Sequence, residues 1–540
     1  MTVRDAPGVP ERSSRHAALP AVTESQRQGA SVAYGDGRLN HDLDTTDSAP
    51  QDACGVFGVW APNDDISKLL YFGLYALQHR GQEAAGMAVS DGGSTTVYKD
   101  LGLVAQVFDE STLAPLTGHL GIGHTRYSTT GAPTWENAQP TLQATSTGTT
   151  IALAHNGNLT NTNALSAQCR KLGVDSTATS DTSLVTALLS SYPDESVESA
   201  ALQVLPQLEG AFSFVFMDDN TLYAARDAHG VRPLVLGRLD RGWVVSSETA
   251  ALDTIGASVV REVEPGELLA IDEHGLRSAR FANQSPKNCI FEYVYLARPD
   301  SVLSGRTVHS ARVEIGRRLA QEHPAEADMV IPVPESGVPA AIGYAQESGI
   351  GFGLGFTKNS YVGRTFIQPS QTLRQLGIQL KLNPLREQVR GKRLVVVDDS
   401  IVRGNTQRAL VRMLREAGAV EIHVRISSPP TKWPCFYGID FATKAELIAD
   451  NLDLDGIRRT IGADSLGYVS LDGLVQATEQ PRSRLCMACF DGDYPITLPP
   501  NDVIGKHLLE GLDRRADVGV AETAPDNKEE TLRGRAQRRT

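Results

Sequence analysis

The chain has 540 residues, 41% hydrophobic and 21% charged, with a net charge of −13, the balance of a soluble globular protein of two or three domains. The acidic charge argues against nucleic acid as a partner. The lack of any apolar run of about 18 residues argues against a membrane span, and the lack of a basic-then-apolar start predicts a cytoplasmic rather than a secreted protein.

Residues 1–53 carry few aromatics and no helical or strand period, and are predicted to be a disordered leader. From Cys54 to about 285, short β-type runs alternate with Gly, Asn and Asp turns: "CGVFGVW", "GMAVS", "HLGIGHTRYST", "TIALAHNGNLT", "GAFSFVFMDD", "TLYAARD" and "GWVVSS". Helical patterns such as "DTSLVTALLSSY" interrupt them. The mixture predicts stacked antiparallel sheets with helices packed outside.

Cys54 opens the first of these strands. A thiol attacks only when a base or a local field makes thiolate. No sequence-near His–Asp pairing of a papain-like kind is present, and His124 and His155, on strand-like runs, read as core or turn histidines. Cleavage between Ala53 and Cys54 would make Cys54 the first residue. Its α-amino group, with a reference pKa of about 8, could then take the thiol proton. Met1 is the only methionine before Cys54, so removal of the initiator alone cannot expose it.

"CGVFG", "LQHRGQEAAGM" (77–87), "GHTRYSTTG" (123–131), "AHNGNLTN" (154–161) and "TSDTSL" (179–184) resemble, in this order, the glutaminase half of the N-terminal-nucleophile amidotransferases. The resemblance implies a four-layer αββα domain over 54–288 with Cys54 as nucleophile. It also implies that Arg126 meets the glutamine α-carboxylate and Asp181 its α-ammonium. Asn156 and the Gly157 N–H would form the oxyanion hole, placed where charge develops.

From about 290 to 475, helices alternate with the buried strands "DMVIPVPES", "RLVVVDDS" and "EIHVRISSP", which predicts a parallel α/β sheet. Within "RLVVVDDSIVRGNTQRAL" (393–410), two carboxylates end an apolar strand, and a Ser/Gly/Thr turn leads into a helix. Ligands bind at the carboxyl ends of such strands, backbone N–H groups at a helix start cradle phosphate, and paired Asp residues hold sugar hydroxyls or magnesium. Between Lys358 and Arg393 there are eight Lys/Arg and one acid, Glu387, a candidate phosphate clamp in an acidic protein.

The 393–410 stretch resembles the signature of type I phosphoribosyltransferases, and so implies recognition of phosphoribosyl pyrophosphate. Asp398 and Asp399 would face the ribose hydroxyls and Mg2+. Ser400 to Thr406, with Gly404 and Asn405 between them, would wrap the 5-phosphate. "PVPESGVPAA" (332–341) resembles the pyrophosphate loop, with Ser336 close to magnesium. The basic segment resembles the loop that closes over substrate and excludes water, Lys358, Arg364 and Arg374 meeting phosphate charge.

Of the six cysteines, Cys289, Cys435, Cys486 and Cys489 form a possible soft ligand set, "CMAC" placing two thiolates within reach of one centre. Four such ligands suit zinc or an iron–sulfur cluster, and the chemistry alone does not choose. Cys169 reads as a small core residue. Residues 501–540 are predicted to hold a C-terminal helix and a charged, mobile tail.

Together the halves resemble, over roughly 54–500, the glutamine phosphoribosylpyrophosphate amidotransferase family, with "CIFEYVYLARPDS" (289–301) as the link into a 289–500 phosphoribosyltransferase domain. The resemblance implies glutamine hydrolysis in the first domain and internal passage of ammonia to the second. There ammonia displaces pyrophosphate to give 5-phosphoribosylamine, the first committed intermediate of purine synthesis. Inhibition by purine nucleotides, a homotetramer and, in the leader-containing branch, a 4Fe–4S cluster on the four cysteines are implied as well. A glutaminase feeding glucosamine-phosphate or asparagine synthesis would need an isomerase or ATP-pyrophosphatase domain instead of "VVVDDSIVRGNT". A purine-sensing regulator would need a DNA-binding module and has no use for Cys54.

Overall fold

A computed structural model describes residues 53–127, 134–174, 180–192, 196–359, 382–439 and 444–498. The leader before Ala53, the tail from 499, and Arg364 and Arg374 lie outside the described residues.

Two antiparallel sheets form the first half. One has seven strands in the order Ser258–Glu262, Val235–Leu239, Gly242–Ser246, Gly55–Trp60, Leu120–Arg126, Ala84–Ser90, Thr95–Leu101. The other has six, in the order Gly275–Arg280, Glu267–Asp272, Leu222–Arg226, Gly210–Met217, Thr150–Leu159, Thr141–Ala144. Side chains alternate across a strand, so Val56 packs with Ile122, Ala154 and Val215 between the sheets. Its neighbour Phe57 packs outward with Leu70 and Leu74 of the helix Ile66–Ala76. The helices Thr162–Lys171, Asp181–Ser190 and Val197–Val204 cover the second sheet through Leu165, Leu184, Leu188 and Val204. Cys169 is buried in that layer. The predicted αββα layering is present.

In the second half four parallel strands run in the order Met329–Pro332, Arg393–Asp398, Glu421–Ile426, Ser465–Tyr468. Val395 and Val397 face a core containing Ile315, Leu319 and Tyr344. Leu394 and Val396 face another with Leu410, Leu414 and Ile457. Both faces are covered, which is why these strands read as unbroken apolar runs. The predicted 288/289 junction falls inside the short strand Asn288–Cys289, which pairs in parallel with Leu485–Cys486. A π-helical turn, Glu292–Leu296, follows it.

Candidate active site

Pairing of Gly55 with Thr125 places Cys54 beside Arg126 and Tyr127. A small cleft opens there, lined by Cys54, Arg126, Tyr127, Gln139, His155, Gly157, Ser180 and Asp181. The Cys54 thiol donates to the Tyr127 carbonyl at 3.1 Å and accepts the Tyr127 N–H at 3.4 Å. Burial pushes this thiol up to about 11, the Tyr127 backbone and Arg126 opposing only in part. At neutral pH it is therefore a thiol, not a thiolate.

Asp181 starts its helix at the cleft wall, accepting the Leu159 N–H at 3.1 Å and the Thr182 N–H at 2.8 Å, with His155 Nδ1 at 3.5 Å. Burial opposes ionisation, but His155 and these N–H groups hold the carboxyl below its usual range. With Arg126 in the same cleft, one anion and one cation are presented together, the complement of an amino acid's α-groups. Asn156 is wholly buried, and among the described residues neither its amide oxygen nor its nitrogen has a partner. Gly157, at φ +148°, lies so close to the next strand that a Cβ would stand 2.0 Å from the Ala211 carbonyl oxygen. The sequence-expected Cys54, Arg126, Gly157 and Asp181 thus share one cleft, with Asn156 adjoining on the same strand.

The two histidines divide. His124 is a core residue, as expected from sequence, and burial pushes it down to about 3. His155 instead lines the cleft and pairs with Asp181, a role that sequence reasoning missed because the partner is remote in the chain. Gln139 was missed for the same reason. Its amide accepts the His155 N–H at 2.7 Å and donates to Thr182 at 3.0 Å.

In the second half, Asp398 and Asp399 stand buried at the C-terminal end of the strand Arg393–Asp398. Asp398 accepts from Gln407, and Asp399 accepts from Ser400 and, at 2.5 Å, from Ser336. That last bond brings the 332–341 loop to the carboxylates. Burial and then the Asp399 charge raise Asp398 well above the carboxylate range, and burial raises Asp399 as well. Two adjacent buried carboxyls resist ionising together. Lys358 lies 3.5 Å from Glu335, next to Ser336. Gly404, at φ +84°, caps the helix Asn405–Glu416, whose first-turn N–H groups have no partner within the helix.

The segments that carry the four cysteines also come together. Cys289 and Cys486 are register partners on paired strands, and the Lys432 and Trp433 N–H groups bind the Cys489 carbonyl at 3.0 and 3.2 Å, close to Cys435 in sequence. Burial pushes the Cys489 thiol well up, and Cys289, Cys435 and Cys486 push it further. Among the described residues no three His, Cys, Asp or Glu side chains are grouped to hold one metal ion.

Family comparisons agree with both halves. A glutamine amidotransferase domain matches residues 124–254, and a phosphoribosyl transferase domain matches residues 307–429. The chain is 65% identical over 494 residues to the amidophosphoribosyltransferase of Mycobacterium tuberculosis (strain ATCC 25618 / H37Rv), covering 89% of this chain and 94% of the relative. It is 45% identical over 464 residues to that of Bacillus subtilis (strain 168), covering 85% and 97%. The solved glutamine phosphoribosylpyrophosphate amidotransferase from B. subtilis in complex with ADP and GMP matches with a TM-score of 0.78 at 45% identity, over 83% of this chain and 98% of that one. A structure described as the allosteric regulatory enzyme of purine biosynthesis matches at 0.80 and 46%, over 84% and 99%. With such identity running through both halves, the chain belongs to the amidophosphoribosyltransferase family and is a glutamine-dependent enzyme of purine biosynthesis that aminates phosphoribosyl pyrophosphate.

Proposed function

We propose that Cys54 is the glutaminase nucleophile and that cleavage after Ala53 activates it, which places the chain in the leader-containing branch of its family. The observation that carries this reading is the buried thiol itself. Among the described residues it hydrogen-bonds only the Tyr127 backbone, and it stays protonated to about 11. His155, the histidine in the cleft, is engaged with Asp181. A base must therefore be supplied, and cleavage supplies one on the same residue.

The α-amine takes the thiol proton and sulfur attacks the glutamine amide carbon. Arg126 and Asp181 hold the α-carboxylate and α-ammonium, and the Asn156 amide with the Gly157 N–H takes up the oxyanion. The amine returns the proton as ammonia leaves, and water then releases glutamate. Ammonia passes inside the protein, because in bulk water it would be protonated and lost as a nucleophile. In the second half it attacks C1 of the sugar and pyrophosphate departs. Asp398 and Asp399 hold the ribose hydroxyls, Ser400 to Thr406 hold the 5-phosphate, and Lys358, with Arg364 and Arg374 of the closing segment, meets the pyrophosphate.

Two resident groups fit the residues present. Asp398, Asp399 and Ser336 offer the hard oxygen donors that Mg2+ prefers, and a bound cation would relieve the repulsion between the two carboxyls. When bound, Mg2+ neutralises pyrophosphate charge. Cys289, Cys435, Cys486 and Cys489 offer four soft donors gathered from three segments. Four thiolates suit a 4Fe–4S cluster as they do zinc, and the resemblance to the leader-containing branch favours the cluster. Domain limits of 54–288 and 289–500, a cytoplasmic homotetramer and feedback by purine nucleotides complete the reading. The last is supported by the ADP and GMP held by the B. subtilis relative.

Mass analysis of the purified enzyme should find Cys54 at the N-terminus, and Cys54→Ala should abolish glutamine-dependent synthesis while leaving synthesis from added ammonia. An active enzyme that retains its leader would overturn the processing step. Loss of both activities in a folded variant would overturn the two-site assignment.

A further inference from the structure

A buried charge network crosses from Cys54 to the cysteines. Arg80, fully buried, donates from Nε to the Cys54 carbonyl at 3.1 Å and binds Glu292 at 3.0 and 2.9 Å. Glu292, three residues after Cys289, also accepts from Arg232 Nη1 at 3.1 Å. Arg232 Nε in turn donates to the Tyr437 carbonyl at 2.8 Å, two residues after Cys435. Arg232 is itself 0% exposed, yet its Nη2 has no partner among the described residues. Buried guanidinium N–H groups are rarely left so.

The Cys289 N–H donates to the carbonyl of Val231, next to Arg232, at 3.1 Å, the Tyr437 N–H lies 3.4 Å from Cys435 Sγ, and Val231, Cys289, Tyr437, Cys486 and Cys489 share one core, so Arg232 is buried among the cysteine-bearing segments. Hydrogen bonds to ligand sulfur are a standard means of holding and tuning an iron–sulfur centre. The segment on which Arg232 holds Tyr437 also touches the oxyanion strand. Asn158 donates to the Phe436 carbonyl at 3.1 Å, and a Cβ on Gly438 would stand 2.9 Å from the Gly157 Cα. Two routes therefore lead from the cysteines to the glutaminase cleft, one through Glu292 and Arg80 to the Cys54 carbonyl, the other through 436–438 to Gly157.

We propose that Arg232 is the positioning residue that couples the sulfur centre to glutamine hydrolysis, donating from Nη2 to the anionic cluster while its other nitrogens fix Glu292 and the Tyr437 carbonyl. The inference rests on the iron–sulfur reading of the four cysteines. Its consequence is that the glutaminase is competent only with the centre in place. Loss of the centre frees Arg232 and the Cys435 segment, and with them the supports of Cys54 and Gly157. The phosphoribosyl site has no part in either route.

The test uses the full chain purified without oxygen, as wild type, Arg232→Lys and Arg232→Gln. Iron, acid-labile sulfide, the rate of visible bleaching in air, and the ratio of glutamine- to ammonia-dependent synthesis are measured. Removal of a residue that hydrogen-bonds a metal ligand typically costs about 10- to 100-fold. We expect Arg232→Gln to bleach about 10-fold faster or more and its activity ratio to fall by about 10-fold, with Arg232→Lys between it and wild type. Wild-type bleaching and a wild-type ratio in both variants would overturn the coupling while leaving the cluster standing. A wild-type enzyme without iron or sulfide would overturn the cluster reading, and the coupling with it. Should the variants not fold, partial air-bleaching of wild type decides: the ratio of glutamine- to ammonia-dependent synthesis must fall with the remaining cluster. Full glutaminase activity in bleached, soluble protein refutes the proposal.

Discussion

Gly157 is confined from two sides. Its φ of +148° is one that L side chains rarely adopt, and both the Ala211 carbonyl and Gly438 close on it. A methyl group here must push backbone, not a flexible side chain. Gly157→Ala should therefore shift the N–H proposed to face the oxyanion, and lower glutamine-dependent synthesis about 10²–10³-fold, the usual cost of losing one such donor. Steady-state assays with glutamine and with ammonia would show the loss confined to the former. Glu248 gives a prediction of a different kind. It is buried, and although burial opposes it, His79 and Arg80 hold its carboxyl well below the usual range. A depressed folded value means that its stabilisation is present above the unfolded pKa of about 4.3 and is lost as pH falls through the folded value. Glu248→Gln should thus cost about 3 kcal/mol near neutrality, with the gap from wild type closing below about pH 4, as read by denaturant melts across pH.

The strand Arg393–Asp398 and the helix Asn405–Glu416 are proposed to act as one element of function: the strand delivers two carboxylates at its end, and the helix starts a few residues on, its first-turn N–H groups having no partner within the helix. Asp398→Asn keeps the shape and removes a charge. It should lower synthesis from both glutamine and ammonia by about tenfold or more, which is ~1.4 kcal/mol of barrier, and leave the glutaminase cleft intact. Unchanged kinetics with phosphoribosyl pyrophosphate would remove Asp398 from the site. At this scale the sequence was highly legible. The runs "RLVVVDDS" and "GAFSFVFMDD" were strands because their apolar patterns leave no other way to bury them. The strand Ser465–Tyr468 was not, since four residues containing a glycine carry too short a pattern to separate from a loop.

At the scale of the molecule, Cys289 and Cys486 pair across about two hundred residues of chain. The proposed metal centre joining such segments would close long loops, worth roughly 4–5 kcal/mol for a ~100-residue loop in the disulfide case, so that metal binding and folding would be coupled. Cys486→Ser should yield iron-poor, less stable protein, detected as a lowered Tm and lost visible absorbance. What the sequence alone determined was what lies within one continuous stretch: Cys54 at a strand start, the paired carboxylates before a Ser/Gly/Thr turn, and the layering of stacked antiparallel sheets and of a parallel sheet. Those are set by local periodicity and by contiguous motifs. Tertiary structure alone decided the pairing of His155 with Asp181, the meeting of the segments that carry the four cysteines, and the buried Arg80–Glu292–Arg232 chain, whose contacts span up to 212 residues. Buried charges take whichever partners the packing brings within reach, and no local pattern records which those are.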